Sequence, residues 1–250
     1  MTRWDKSGYL SAWRTDVERF IAATAADGLA REVPSCPDWT LRELVAHLAR
    51  TFGTISRRAN SAEAPPPGEF GQTVELDAGE DVLGEFEEAV TKTATSFDGL
   101  RLDTPAWNPA PLAKTAEFWF RRLMCETAVH RWDAQMAGAA TEPIDGMIAA
   151  AGIEEAFDAL VPMGRRTDDS SVSGVLQLFA TDIDRQWFVR LREGRESLLD
   201  SDSIDVDNTT IQASASGTAS DLYLALWGRL PVDVLDLAGA ETLFRAVRVH

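Results

Sequence analysis

The chain has 250 residues, enough to bury one large core or two modest ones, and 45% of them are hydrophobic against 26% charged, an ordinary balance for a soluble protein. Its 24 basic and 40 acidic residues give a net charge of −16, which argues against nucleic acid and against an anionic membrane surface as partners. No apolar run approaches the length of a membrane span, the start MTRWDKSGYL lacks the pattern of a secretion signal, and two cysteines, Cys36 and Cys125, make no disulfide framework, so a cytoplasmic protein is expected.

From Tyr9 to Ala26, the residues Trp13, Val17, Phe20 and Ile21 recur at helical spacing and predict a first amphipathic helix whose stripe is core. In VPSCPDWTLRELVAHLART, residues 33–51, two prolines hold the stretch to Trp39 extended or turned. Thr40 with Glu43 then forms a capping box that starts a second helix. His47 falls two turns inside it on the stripe of Leu41, Leu44, Val45 and Leu48, where a lone histidine reads either as a satisfied core residue or as a ligand. Cys36 has no dedicated base near it in sequence and reads as a structural residue of the turn. Residues 60–73, rich in Pro and Gly, predict an exposed loop, a rim over whatever site lies beneath. Asp77 is placed as the cap of a third helix reaching Phe97, with Leu83, Phe86, Val90 and Phe97 inward and Glu80, Asp81, Glu85, Glu87 and Glu88 on a solvated acidic face.

A second loop, DTPAWNPAP, leads into TAEFWFRRLMCETAVHRWDAQMAG, a continuous helical pattern from Thr115 to Gly138. Glu126 and His130, four residues apart, stack on one face of it, with Leu123 and Trp119 one and two turns earlier. Both polar groups therefore point where the helix should be buried, and buried polar groups need partners. The pair can grip one ion, and His47 from another helix would complete a set of two nitrogens and one oxygen with an open fourth position, the arrangement catalytic zinc uses. A Glu and His at this spacing also occur by chance in many helices, as a surface or core polar pair. Asp133, three residues past His130, can orient that ring through its other nitrogen, cap the helix or join a surface ion pair.

A further helix is expected from about Asp145 to Leu160, followed by the break VPMGRRTDDSS. The pattern then changes: VSGVLQLFAT and QWFVRLR alternate with period two, Trp187, Val189 and Leu191 against Phe188, Arg190 and Arg192, and TTIQASAS is a third candidate strand. A helix starting near Thr218, with Leu222, Leu226 and Trp227 inward, and a short terminal helix ending at His250 complete the chain. The expected organisation is a helical bundle over residues 1–164, its metal between helices, and a small α+β domain over residues 165–250 with helices on an antiparallel or mixed sheet.

In this order, SCPDWTLRELVAHLART, ETAVHRWDAQMAG and GTASDLYLALWGR resemble the mycothiol-dependent maleylpyruvate isomerase family, in the wider DinB-like group of metal-binding four-helix bundles. The resemblance implies a DinB-like N-terminal bundle carrying a divalent metal, usually zinc, on the residues that match His47, Glu126 and His130. It implies a smaller C-terminal domain similar to sterol carrier domains, in which an arginine contributes to the active site; the best match is Arg229. That residue reads equally as a helix C-terminal side chain paired with Asp233 or with a backbone carbonyl. Cys125 stands where members of the family commonly carry His, and it points about 100° away from Glu126 on a helix, so the ligand set should survive.

The resemblance further implies mycothiol as a thiol cosubstrate, activated as a thiolate on the metal and added to an electrophilic small molecule. The enzyme would act as an S-transferase or as a cis–trans isomerase of a maleylpyruvate-like acid, and is expected as a monomer or weak homodimer. Two alternatives stand beside it: a zinc hydrolase, for which Asp133 is the only base the sequence offers, and a non-catalytic ligand-binding or regulatory protein with a retained metal site.

Overall fold

A computed structural model describes residues 4–66, 79, 81–165, 172–192, 195–199 and 210–249. Contacts divide the chain into two compact units, the first comprising Met1–Asn108 and Ala113–Glu142 and the second Pro109–Leu112 and Pro143–His250.

The helices of the first unit are α1 (Lys6–Asp27), α2 (Leu41–Ala59), α3 (Val82–Gly99) and α4 (Ala116–Ala137). α2 begins where the capping box predicts: the Thr40 amide donates to Glu43 Oε2 at 2.8 Å, and the Thr40 hydroxyl meets the same oxygen. These donors hold the Glu43 carboxyl below its ordinary range, the Thr40 side chain contributing most. Leu41, Leu44, Val45, Leu48, Phe52 and Ile55 form the buried face of α2, which packs against both α3 and α4. α4 is covered nearly all round, by α1 as well as α2, so its polar residues go inside with its apolar ones: Arg122, Glu126, His130, Arg131 and Asp133 are all buried. Arg131 shows what that requires. Burial lowers its pKa, and Asp16, which accepts from Nε at 3.2 Å, pulls the other way, while Nη1 donates to the Glu142 carbonyl at 2.6 Å.

α3 starts later than expected. Asp81 is its cap, accepting from the Gly84 amide at 3.2 Å; Asp77, placed as the cap by sequence, lies outside the described residues, as do residues 67–73 of the expected rim loop. The buried positions are Val82, Phe86, Thr93 and Phe97, and Leu83, one step of about 100° round the helix from Val82, is 39% exposed.

The second unit holds α5 (Gly146–Glu155), which runs into a π-helical turn at Ala156–Leu160, then β1 (Gly174–Ala180), β2 (Arg185–Arg192), β3 (Arg195–Leu199), β4 (Ala213–Gly217), α6 (Ala219–Leu226), β5 (Asp236–Gly239) and α7 (Glu241–Arg245). The sheet order is β3-β2-β1-β4-β5, with β1 and β4 parallel and every other pair antiparallel, the mixed sheet expected. Of its strands, β1, β2 and β4 are the three that alternation predicts. β5, DLAG, carries turn-type residues and becomes a strand by pairing along β4, from Ala213↔Gly239 to Ser216↔Asp236.

The sequence pattern divides the chain near residue 165, at the break before the strands; the contacts divide it between 142 and 143. The reason is α5, which packs against α6. Gly152 approaches Tyr223 so closely that a Cβ there would stand 2.3 Å from its Cζ, and the Ile144 amide donates to the Ser220 hydroxyl at 3.0 Å. The terminal helix is shorter than expected, ending at Arg245, after which the Val249 amide donates to the Leu226 carbonyl at 2.9 Å. Among the described residues, no helix is long and apolar enough to cross a membrane.

Candidate metal centre

α2 and α4 bring together three residues that are far apart in sequence. His47 lies at the edge of the buried stripe of α2, its side chain 28% exposed, and Glu126 and His130 lie on the facing side of α4, each side chain 10% exposed. His47 Nε2 is 3.2 Å from Glu126 Oε1, and His130 Nε2 is 3.4 Å from the same oxygen. The two imidazoles meet edge to face with centroids 4.8 Å apart, and one donor atom from each of the three residues lies within 4.8 Å of the others.

Each donor is held from behind. Asp133, fully buried, faces His130 Nδ1 with Oδ2 at 2.9 Å, so the orienting role is the geometry found among those open to it. Trp39 packs on the His47 ring at 5.0 Å between centroids, and Thr51 Oγ1 is 3.4 Å from His47 Nε2. Arg122 pairs with Glu126 Oε2, leaving Oε1 to the histidines. Sequence reading passed over Arg122, although the signal was present: 122, 126 and 130 are spaced by four and share one helical face. Trp39 carried no comparable signal, since its contact with His47 depends on the path of the loop before α2. Cys125 is fully buried.

This donor set fits a metal ion. An imidazole whose Nδ1–H is given to a carboxylate presents a lone pair at Nε2. For His130 that lone pair faces Glu126 Oε1, an acceptor, at 3.4 Å, and two acceptors at this distance call for a cation between them, a proton or a metal ion. Donors bound to a tetrahedral zinc at about 2.0–2.2 Å stand about 3.3–3.6 Å from one another, close to the separations of Glu126 Oε1 from the two histidines.

Arg229 belongs to the second unit, just past α6. Its Nη1 donates to the Trp227 carbonyl at 3.1 Å and its guanidinium stands 5.7 Å from the centroid of the Trp227 ring, so of the two local partners weighed from sequence the structure shows the carbonyl.

Residues 10–135 match the family described as the mycothiol maleylpyruvate isomerase N-terminal domain, and residues 147–246 match the C-terminal domain of the same proteins. Among curated proteins none matches significantly. Two solved structures of a mycothiol-dependent maleylpyruvate isomerase, one of them a histidine-to-alanine mutant, share the fold with a TM-score of 0.61 at 14% identity, over 94% of this chain and 93% of theirs.

Proposed function

This chain belongs to the mycothiol-dependent maleylpyruvate isomerase family, a family of enzymes, and on that footing we propose that His47, Glu126 and His130 hold a divalent metal, zinc by the character of the donors, for thiolate addition to an electrophilic acid. The observation that carries the reading is Glu126 Oε1 shared between two imidazole nitrogens, one of them on a ring whose other nitrogen is already committed to Asp133. When bound to three protein ligands, such an ion keeps a position open for a thiol and favours its thiolate at neutral pH.

The protein's own groups do the rest. Arg122 holds Glu126 Oε2 and so turns a single carboxylate oxygen toward the histidines. Asp133 keeps the proton of His130 on Nδ1 and fixes the plane of the ring. His47, the most exposed of the three, marks the side open to solvent, from which cosubstrate and substrate enter. For a maleylpyruvate-like acid, the sulfur of the cosubstrate, mycothiol, forms a bond to one alkene carbon while the π pair moves to the conjugated carbonyl oxygen as an enolate. Rotation about the resulting single bond, return of the electron pair and expulsion of the same thiolate give the trans isomer; protonation of the enolate instead leaves the thioether of an S-transferase. The substrate carboxylate or the enolate oxygen needs a cationic partner, the role that the family resemblance gives to Arg229. A cytoplasmic setting, where a small thiol stays reduced, suits a chain whose two cysteines are both buried thiols.

The hydrolase alternative loses ground on one observation: Asp133, its only candidate base, is fully buried and engaged with His130. The test is to purify the chain, count its metal and assay maleylpyruvate with and without mycothiol. About one zinc per chain, its loss in His130→Ala and turnover only with the thiol are expected. A protein without metal, or one that turns over equally with no thiol, overturns the reading.

A further inference from the structure

The loop before α2 touches His47 and, on the other side of the centre, Asp133, the partner of His130, and the mechanism above uses neither contact. The loop closes on itself: the Val33 amide donates to the Trp39 carbonyl at 2.9 Å, the Cys36 amide to Val33 at 2.9 Å and the Trp39 amide to Cys36 at 3.1 Å. Asp38 completes the turn at φ 67°, a left-handed conformation that aspartate adopts more readily than most other non-glycine residues. The result is a hydrogen-bonded hoop with two inward contacts. Trp39 lies on His47, and Cys36, 9% exposed, points Sγ at Asp133 Oδ2 from 3.4 Å. That oxygen is the one 2.9 Å from His130 Nδ1.

We propose that Cys36 is a positioning residue of the metal centre: its S–H donates to Asp133 Oδ2 and steadies the carboxylate that sets the tautomer and ring plane of His130. The proposal rests on the reading of His130 as a ligand. Asp133 has no exposed surface, so water does not compete for this carboxylate, and even a weak thiol donor matters there. The carboxyl torsion of Asp is broad, so a second donor narrows the angle at which Oδ2 meets the ring. Outer partners of metal-bound histidines commonly change affinity about 10–100-fold; Cys36 acts one bond further out, and about 3–10-fold is expected. The same three groups, Cys36, His130 and Asp133, are also close enough to be ligands themselves, each donating an atom within 4.8 Å of the others, and the experiment separates the two arrangements.

Zinc affinity is measured by chelator competition for the wild type, Cys36→Ala, Cys36→Ser, Asp133→Ala and the double variant Cys36→Ala/Asp133→Ala. In parallel, the protonated nitrogen of His130 is read by nitrogen-15 NMR on the metal-free proteins. Cys36→Ala should bind about 3–10-fold more weakly, whereas Cys36→Ser, whose O–H also donates, should stay within about two-fold of wild type. In the Asp133→Ala background the cysteine change should add nothing, because the path through which it acts is gone. The metal-free wild type should carry its proton on Nδ1, and Cys36→Ala should lose part of that preference. Should Cys36→Ala unfold, Cys36→Val keeps bulk without a donor and replaces it. Wild-type affinity in Cys36→Ala, an equal loss with Asp133 already removed, or a second zinc equivalent that disappears in Cys36→Ser would each overturn the proposal. If the wild type binds no metal, the functional reading fails separately, and an unchanged His130 tautomer in Cys36→Ala still refutes the role given to Cys36.

Discussion

Arg122→Met deletes the cation that faces Glu126 Oε2 while keeping most of the apolar stem that packs inside the first unit. Both side chains are only 10% exposed, so the change leaves a carboxylate with little access to water. Removing one partner of a buried ion pair costs about 3–5 kcal/mol. Here the low end applies, about 3 kcal/mol, because the carboxylate keeps a tenth of its surface in water. Metal should reverse part of the loss. A dication on the same carboxylate supplies the missing positive charge, and a ligand that binds only the folded state stabilises it in proportion to its affinity. Urea unfolding of wild type and Arg122→Met, each stripped of metal and then saturated with zinc, gives four midpoints. The metal-free gap should be about 3 kcal/mol, and zinc should narrow it. A metal-free gap below about 1 kcal/mol, or one that zinc widens, would refute the argument that Arg122 and a metal ion balance the same carboxylate.

Four further outcomes follow from the geometry. His47→Ala and His130→Ala should each weaken zinc binding by more than the roughly 100-fold that an outer partner is worth, by chelator competition, with helix content unchanged. Thr40→Ala should cost about 0.5–2 kcal/mol at neutral pH. Glu43, the acceptor in that cap, has its carboxyl pKa lowered from 4.5, chiefly by Thr40, so the stability it adds is present above that value and lost as pH falls through the lowered one. The gap between wild type and Glu43→Ala in unfolding midpoint should therefore close only in acid. Gly152→Ala would set a methyl 2.3 Å from the Tyr223 ring and should destabilise the second unit by about 1–3 kcal/mol, while zinc binding by the first unit stays within error.

Much of this protein could be read locally. The start of α2 was legible because a capping box closes within four residues, and Glu126 and His130 could be paired because four residues of helix bring two side chains onto one face. Strands β1, β2 and β4 showed in alternation that their own residues carry. What sequence alone could not supply were meetings across the chain. His47 reaches Glu126 over 79 residues and Cys36 reaches Asp133 over 97, and both meetings are decided by how α2 and the loop before it lie on α4. The same holds for α5, assigned to the bundle by its helical pattern and to the second unit by its fit against α6, and for β5, which is a strand only because β4 lies beside it. Backbone periodicity is written in neighbouring residues, whereas the partner of a buried face or a buried charge is chosen by packing, which only the folded chain completes.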